Sequence, residues 1–222
     1  MDGVAFAWPG QHGFALTVDR FVLAPGESVL LLGPSGSGKS TLLNLICGVI
    51  PPSAGRVVVL GTDLGTLAGA ARDRFRAAHF GILFQMFNLL PYLTAVDNVL
   101  LPLRFAPERR RRAGSGEEAA RRLLARLGIA EVAHQPATEL SVGQQQRVAA
   151  ARALIGTPEI VVADEPTSAL DTDARDGFLE LLFSEIRVAG ASLLMVSHDG
   201  SLRRRFDRVV QLSDIATVGR AA

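Results

Sequence analysis

The stretch Val29-Leu30-Leu31-Leu32-Gly33-Pro34-Ser35-Gly36-Ser37-Gly38-Lys39-Ser40-Thr41 decides the fold. Its first four residues are apolar without alternation, the pattern of a strand buried on both faces of a parallel sheet. The glycine-rich turn that follows leads into a helical pattern over 40–46. Strand, glycine turn and helix in that order form the context a phosphate loop requires. Gly33, Gly36 and Gly38 let backbone N–H groups point inward with no Cβ in the way. Those donors, with Pro34, Ser35 and Ser37 completing the loop and the positive end of the next helix beyond it, make an anion cradle. Lys39 is placed to reach β- and γ-phosphates, the Ser40 hydroxyl to meet Mg²⁺, and Thr41 to bond the α-phosphate. The loop alone specifies a bound nucleoside triphosphate and nothing narrower, because kinases, GTPases and many ATPases share it.

Composition narrows the class. All 23 basic residues except Lys39 are arginine, so lysine stands where a compact charge on a flexible stem is wanted. The net charge of +1 gives no reason to expect a nucleic-acid partner. Cys47 is the one cysteine, which excludes an intramolecular disulfide and suits a reducing compartment. Inside an apolar helix it reads as a small buried filler. The N-terminus lacks a basic segment followed by an apolar run, so no signal peptide is expected. The apolar runs are too short to span a bilayer, so any membrane channel would belong to another chain.

Further apolar runs at 80–84, 160–163 and 193–196 repeat the buried-strand pattern, with helical patterns between them. Residues 144–154 are Ala- and Arg-rich. Residues 173–188 place Phe178, Leu182 and Ile186 on one stripe, with Gly190 as a stop. Ser115-Gly116-Glu117-Glu118 reads as a capping box opening a helix that ends before Gly128. This alternation predicts an α/β sheet with crossover helices. The segment from about 88 to 139, punctuated by Pro91, Pro102, Pro107 and Pro136, reads as a helical lobe inserted in the core. The first 23 residues or so, with 56–60, read as a small antiparallel sheet. The runs Arg109–Arg112 and Arg203–Arg205 read first as solvated faces, and second as contacts for anionic headgroups.

The run 160–163 ends in Asp164-Glu165. A carboxylate at the end of a buried strand can hold Mg²⁺ through water, and one immediately after it can polarise an attacking water. Asp164 is assigned to the metal and Glu165 to the general base. Upstream stands Leu140-Ser141-Val142-Gly143-Gln144-Gln145-Gln146-Arg147, with Ser141 where an N-cap belongs, so the helix beyond can attract an anion.

Here the sequence resembles the ABC ATPases, whose signature reads LSGGQ, and the resemblance covers essentially the whole chain. It implies an α/β P-loop NTPase (RecA-like) core, residues 1–87 and 140–222, with a small antiparallel β lobe and an inserted helical subdomain at about 88–139, all one domain. It implies that Ser141, Gly143 and Gln144 bind the γ-phosphate held by the phosphate loop of a second copy, in a head-to-tail homodimer with ATP at its interface. Gln85 matches the glutamine that touches Mg²⁺ and the attacking water, Ser168-Ala169-Leu170-Asp171 the loop that crosses the dimer interface, and His198 the histidine that contacts the γ-phosphate. Val142 departs from the signature, standing where its first glycine belongs. Trp8 is the choice for the aromatic that stacks on adenine, with Phe6 and Phe14 as rivals.

The segment 84–99, Phe-Gln-Met-Phe-Asn-Leu-Leu-Pro-Tyr-Leu-Thr-Ala-Val-Asp-Asn-Val, resembles the ATPases of the lipoprotein-release, macrolide-efflux and cell-division transporter group. The resemblance implies that it lines a groove for a helix of a transmembrane permease, and that the chain works as a cytoplasmic ATP hydrolase on the inner face of the membrane. Met86, Phe87, Leu89, Leu90 and Tyr92 suit such a groove, or pack the helical lobe's own core. Two rivals are a soluble ABC ATPase in a non-transport role and a non-hydrolysing ATP-binding regulator. The absence of a tandem ATPase domain or a long coiled-coil insertion speaks against the first, and Glu165 with His198 against the second.

Overall fold

The computed structural model describes residues 1–8 and 14–219. In chain order its strands and α-helices are β1 (Asp2–Ala7), β2 (Ala15–Arg20), β3 (Ser28–Leu32), α1 (Lys39–Ile46), β4 (Ala54–Arg56), β5 (Val58–Val59), β6 (Thr62–Asp63), α2 (Gly69–His79), β7 (Phe80–Leu83), α3 (Ala95–Phe105), α4 (Pro107–Ala113), α5 (Gly116–Arg126), α6 (Val142–Leu154), β8 (Ile160–Asp164), α7 (Thr172–Ala189), β9 (Ser192–Ser197), β10 (Arg208–Gln211), α8 (Leu212–Ile215) and β11 (Ala216–Gly219). They form two compact units, residues 1–76 with 194–222, and residues 77–193. No helix among the described residues is long and apolar enough to cross a membrane.

In the first unit β3 pairs in parallel with β10, from Arg208 opposite Val29 to Gln211 opposite Leu32. Val29, Leu30, Leu31 and Leu32 are all buried, as their unbroken apolar run requires. β1 and β2 bury alternate residues, Val4 and Phe6 against Leu16 and Val18, which is the pattern of a sheet covered on one face. They are the centre of a four-stranded antiparallel sheet in the order β11-β2-β1-β4. The expected strand at 56–60 is divided. Ala54–Arg56 joins β1, while Val58–Val59 turns back on Thr62–Asp63 as a separate hairpin. Leu60 and Gly61, at φ 49° and 80°, make the two-residue turn that separates them. Cys47 is buried as expected, and burial pushes its thiol up to about 12.

In the second unit β7 and β8 pair in parallel, Phe80 opposite Ile160 through Leu83 opposite Ala163. The helices of the 88–139 segment lie in this same unit, where α3 packs on α6 and α5. α7 buries Phe178, Leu179, Leu182 and Ile186 on one face, begins at an Asp171 cap and stops at the left-handed Gly190. Ser115 is the N-cap of α5 but makes no side-chain capping bond. The glutamates assigned to that box are engaged elsewhere: Glu117 pairs with Arg121 at 2.9 Å and Glu118 with Arg122, each one helical turn on.

The arginine run on α4 divides: Arg110, Arg111 and Arg112 are exposed, as a solvated face expects, and Arg109 is a correction. Arg109 is only 2% exposed, so it belongs neither to a solvated face nor to a headgroup site. Its guanidinium donates to the carbonyls of Phe80, at 3.0 Å, and of Ala153 and Ile155. Arg112 bonds the Ala78 carbonyl at 2.7 Å and pairs with Glu159, which also meets His79. Burial, helped by repulsion from Arg112, pulls Arg109 down to about 10, so it stays charged at neutral pH. Gly156 passes so close, at φ 68°, that a Cβ there would lie 2.5 Å from the Arg109 carbonyl oxygen. Replacing Arg109 with methionine leaves buried carbonyls without donors. It should lower unfolding free energy by on the order of 3 kcal/mol, read as a fall in urea midpoint at constant slope. An unchanged midpoint would contradict this role for Arg109.

Candidate nucleotide site

β3 delivers the phosphate loop at its C-terminal end, and α1 begins at Lys39. The loop turns through Gly36 at φ 76° and Gly38 at φ 94°, left-handed conformations that admit glycine with least strain. Gly38 is the N-cap of α1 and has no side chain to spend on capping. The first amides of the helix therefore remain oriented toward the loop. Lys39 is buried, and its Nζ donates to the carbonyls of Gly33 and Pro34, both at 2.8 Å, so the cation lies folded along the inside of the loop. The Ser37 hydroxyl is buried with no hydrogen-bond partner among the described residues. An orphaned buried hydroxyl, left-handed glycines and an interior cation together suit a polyanion, whose oxygens would satisfy all of them. Ser40, at the second position of α1, is exposed, and Thr41 is buried.

Two half-buried aromatics flank this loop. Trp8 donates Nε1–H to the Thr41 hydroxyl at 3.3 Å and stands edge-on to Phe6, their centroids 5.1 Å apart. Phe14 comes to 3.0 Å from where a Cβ on Gly38 would be. Phe6 is buried in the core of its sheet, whereas Trp8 and Phe14 keep surface. In the same unit His198 is exposed immediately after β9. Beyond it Asp199 caps the 3-10 turn Gly200–Arg205, on which Arg203 and Arg204 are exposed.

The second unit carries the other predicted residues. β8 ends in Asp164, and Glu165 follows at φ 46°, a left-handed non-glycine residue that bends the chain sharply at the strand end. Gln85 is exposed in the turn after β7. Ser141 is the N-cap of α6: its hydroxyl accepts from the Gln144 amide at 3.3 Å, and the Gln144 side chain accepts from the Ser141 amide at 3.0 Å. Val142 and Gly143 are the first helical residues. Val142 is 49% exposed, so its side chain extends into solvent and this capped helix start forms with valine there. Asp171 caps α7 through its carboxylate, accepting from the Ala174 amide at 2.9 Å.

Sequence reasoning passed over three polar residues of this unit. Gln146, buried on α6, donates to the Pro166 carbonyl just past Glu165. Arg152, also on α6, donates to the carbonyls of Phe87 and Asn88 just past Gln85. Asn98 is fully buried on α3; it accepts from the Leu90 amide at 2.8 Å and donates to the carbonyls of Leu90, Leu93 and Thr94. No local signal marks them, because their partners are backbone groups brought near by folding.

A family profile described as ABC transporter matches residues 16–168. The chain belongs to the ABC transporter family, as an ATP-binding subunit. The lipoprotein-releasing system ATP-binding protein LolD of Anaeromyxobacter dehalogenans is 48% identical over 93% of this chain and 83% of its own length. The macrolide export ATP-binding/permease protein MacB of Chromobacterium violaceum is 41% identical over 96% of this chain, which spans 33% of that longer protein. Among solved structures, a dimeric bacterial ABC transporter cassette matches with TM-score 0.81 and 32% identity over 95% of this chain and 92% of the other. A post-hydrolysis cassette dimer bound to ADP and Pi matches with TM-score 0.77 and 33% identity over the same shares. As an ABC ATPase this chain binds and hydrolyses ATP. Replacing Lys39 with alanine should weaken ATP binding by roughly tenfold to a hundredfold, the worth of one charge-assisted contact. Titration with a fluorescent ATP analogue checks it, and unchanged affinity would remove Lys39 from the phosphate cradle.

Proposed function

We propose that this ABC ATPase powers a transmembrane permease of the lipoprotein-release or macrolide-export type, from the cytoplasmic side of the membrane, as a head-to-tail homodimer. The whole chain is one ABC ATPase domain, its core 1–87 and 140–222 and its helical insertion about 88–139. The observation that carries the transport reading is the loop between Gln85 and Thr94. Met86 is 80% exposed and Tyr92 76% exposed, beside half-exposed Phe84, while Asn98 fastens the backbone beneath them. Large apolar side chains held out on a braced loop suit the docking of an amphipathic helix. The similarity to LolD across most of both chains supports the choice of transporter group.

In this reading Lys39, the loop amides and Ser37 hold the phosphates, and Trp8 lies on the adenine. Ser40, Gln85 and Asp164 serve Mg²⁺. These oxygen donors suit a hard cation that keeps most of its shell as water and phosphate oxygen. Mg²⁺, when bound, neutralises charge on the phosphate oxygens. Glu165 takes the proton of the attacking water, His198 steadies the γ-phosphate, and the partner's copies of Ser141, Gly143 and Gln144 close over it. Asp171 lies at the dimer interface.

Glu165→Gln should retain ATP affinity, lower turnover by on the order of a hundredfold or more, and accumulate a nucleotide-bound dimer on size-exclusion chromatography. Wild-type turnover in that variant would exclude Glu165 as the base. For the permease, Met86→Asp with Tyr92→Asp should abolish co-purification from detergent-solubilised membranes with the integral membrane partner that the wild-type chain recovers, while leaving ATPase activity of the purified subunit intact. Should the wild-type chain recover no membrane partner, the non-transport ABC reading takes its place.

A further inference from the structure

Phe87 and Asn88, two and three residues after Gln85, are consecutive non-glycine residues in the left-handed region, at φ 56° and 50°. Side chains disfavour that conformation, and two in succession hold it only where the surroundings impose it. The turn's own bonds are short-range, from the Phe87 amide to Phe84 and from the Asn88 amide to Met86. What reaches the turn from elsewhere is Arg152, in the last turn of α6, whose Nη1 and Nη2 donate one to each of the Asn88 and Phe87 carbonyls. A planar fork fits two adjacent carbonyls as no other side chain does. The guanidinium is partly withdrawn from water to do this, and that burial lowers its pKa. Further along, Asn98 holds Leu90, Leu93 and Thr94. The segment is thus held at its far end by the helical insertion and at its near end by the helix that begins at Ser141.

We propose that Arg152 is a positioning residue for ATP hydrolysis: it locks the strained turn at Phe87–Asn88 to the signature helix, and so fixes where Gln85 presents its side chain. Motion at Met86 is then transmitted to α6 through one guanidinium. The proposal rests on the reading of Gln85 as a contact to the attacking water.

Steady-state ATPase of the full chain tests it, with Arg152→Ala, Arg152→Lys, Gln85→Ala and the Arg152→Ala/Gln85→Ala double variant. Arg152→Ala should lower kcat by about tenfold to a hundredfold, as a misplaced catalytic group does, with KM for ATP within about twofold. Lysine, one point charge without the fork, should restore only part of it. The double variant should be no slower than Gln85→Ala alone, because the two act through one turn. Wild-type kcat in Arg152→Ala, full rescue by lysine, or losses that multiply in the double variant would overturn the proposal. If Gln85→Ala itself keeps wild-type kcat, the reading of Gln85 falls first, and the route through it falls with it. Should Arg152→Ala fail to fold, hydrogen exchange of the amides at 86–90 in Arg152→Lys decides: faster exchange there than in wild type supports the lock, and unchanged exchange overturns it.

Discussion

A guanidinium buried among backbone carbonyls organises the second unit. Arg109 reaches from α4 to the start of β7, at Phe80, and to the end of α6, at Ala153 and Ile155. Helix C-termini leave carbonyls unpaired, and a helix ending inside a protein needs donors for them. The sequence after α6 cannot supply them all, since Gly156 turns away in the left-handed region and Pro158 has no N–H. An arginine from the inserted helices does so instead. Removing it would leave buried acceptors unmatched, and that penalty keeps α4, α6 and β7 in one arrangement.

The same logic runs along α6. Its N-terminus is sealed by the reciprocal bonds of Ser141 and Gln144, its middle sends Gln146 to the carbonyl after Glu165, and its last turn sends Arg152 to the carbonyls after Gln85. Both strands β7 and β8 are apolar and buried, so polar chemistry can begin only where they end. The turns at those ends are strained, at Glu165 and at Phe87–Asn88, and strain persists only where neighbours determine it. α6 holds both. In an ABC ATPase this gives one helix a mechanical hold on the residues that follow both Gln85 and Glu165.

The parts legible in the sequence were those where local pattern and chemistry coincide. The glycine turn around Lys39, the buried runs at 29–32 and 160–163, the cap at Ser141 and the stop at Gly190 all follow from short-range rules. The misreadings have a common origin. Ser115 has the residues of a capping box, but ion pairs one turn away take its glutamates. The run at 56–60 has strand composition, but a two-residue turn detaches it from the sheet it was assigned to. Arg109 looks like its neighbours Arg110 and Arg111, in a chain where arginine carries nearly all the positive charge.

Sequence by itself determined the family, the glycine-rich turn around Lys39 and the order of the motifs, because each depends on residues adjacent in the chain and on the backbone conformations they permit. Tertiary structure alone decided which polar side chains are buried and what they hold. Arg109, Asn98, Gln146 and Arg152 bond to carbonyls, and every residue has one. A carbonyl acceptor leaves no mark in the sequence. Only folding shows which carbonyls lack a partner and which side chain comes to supply it.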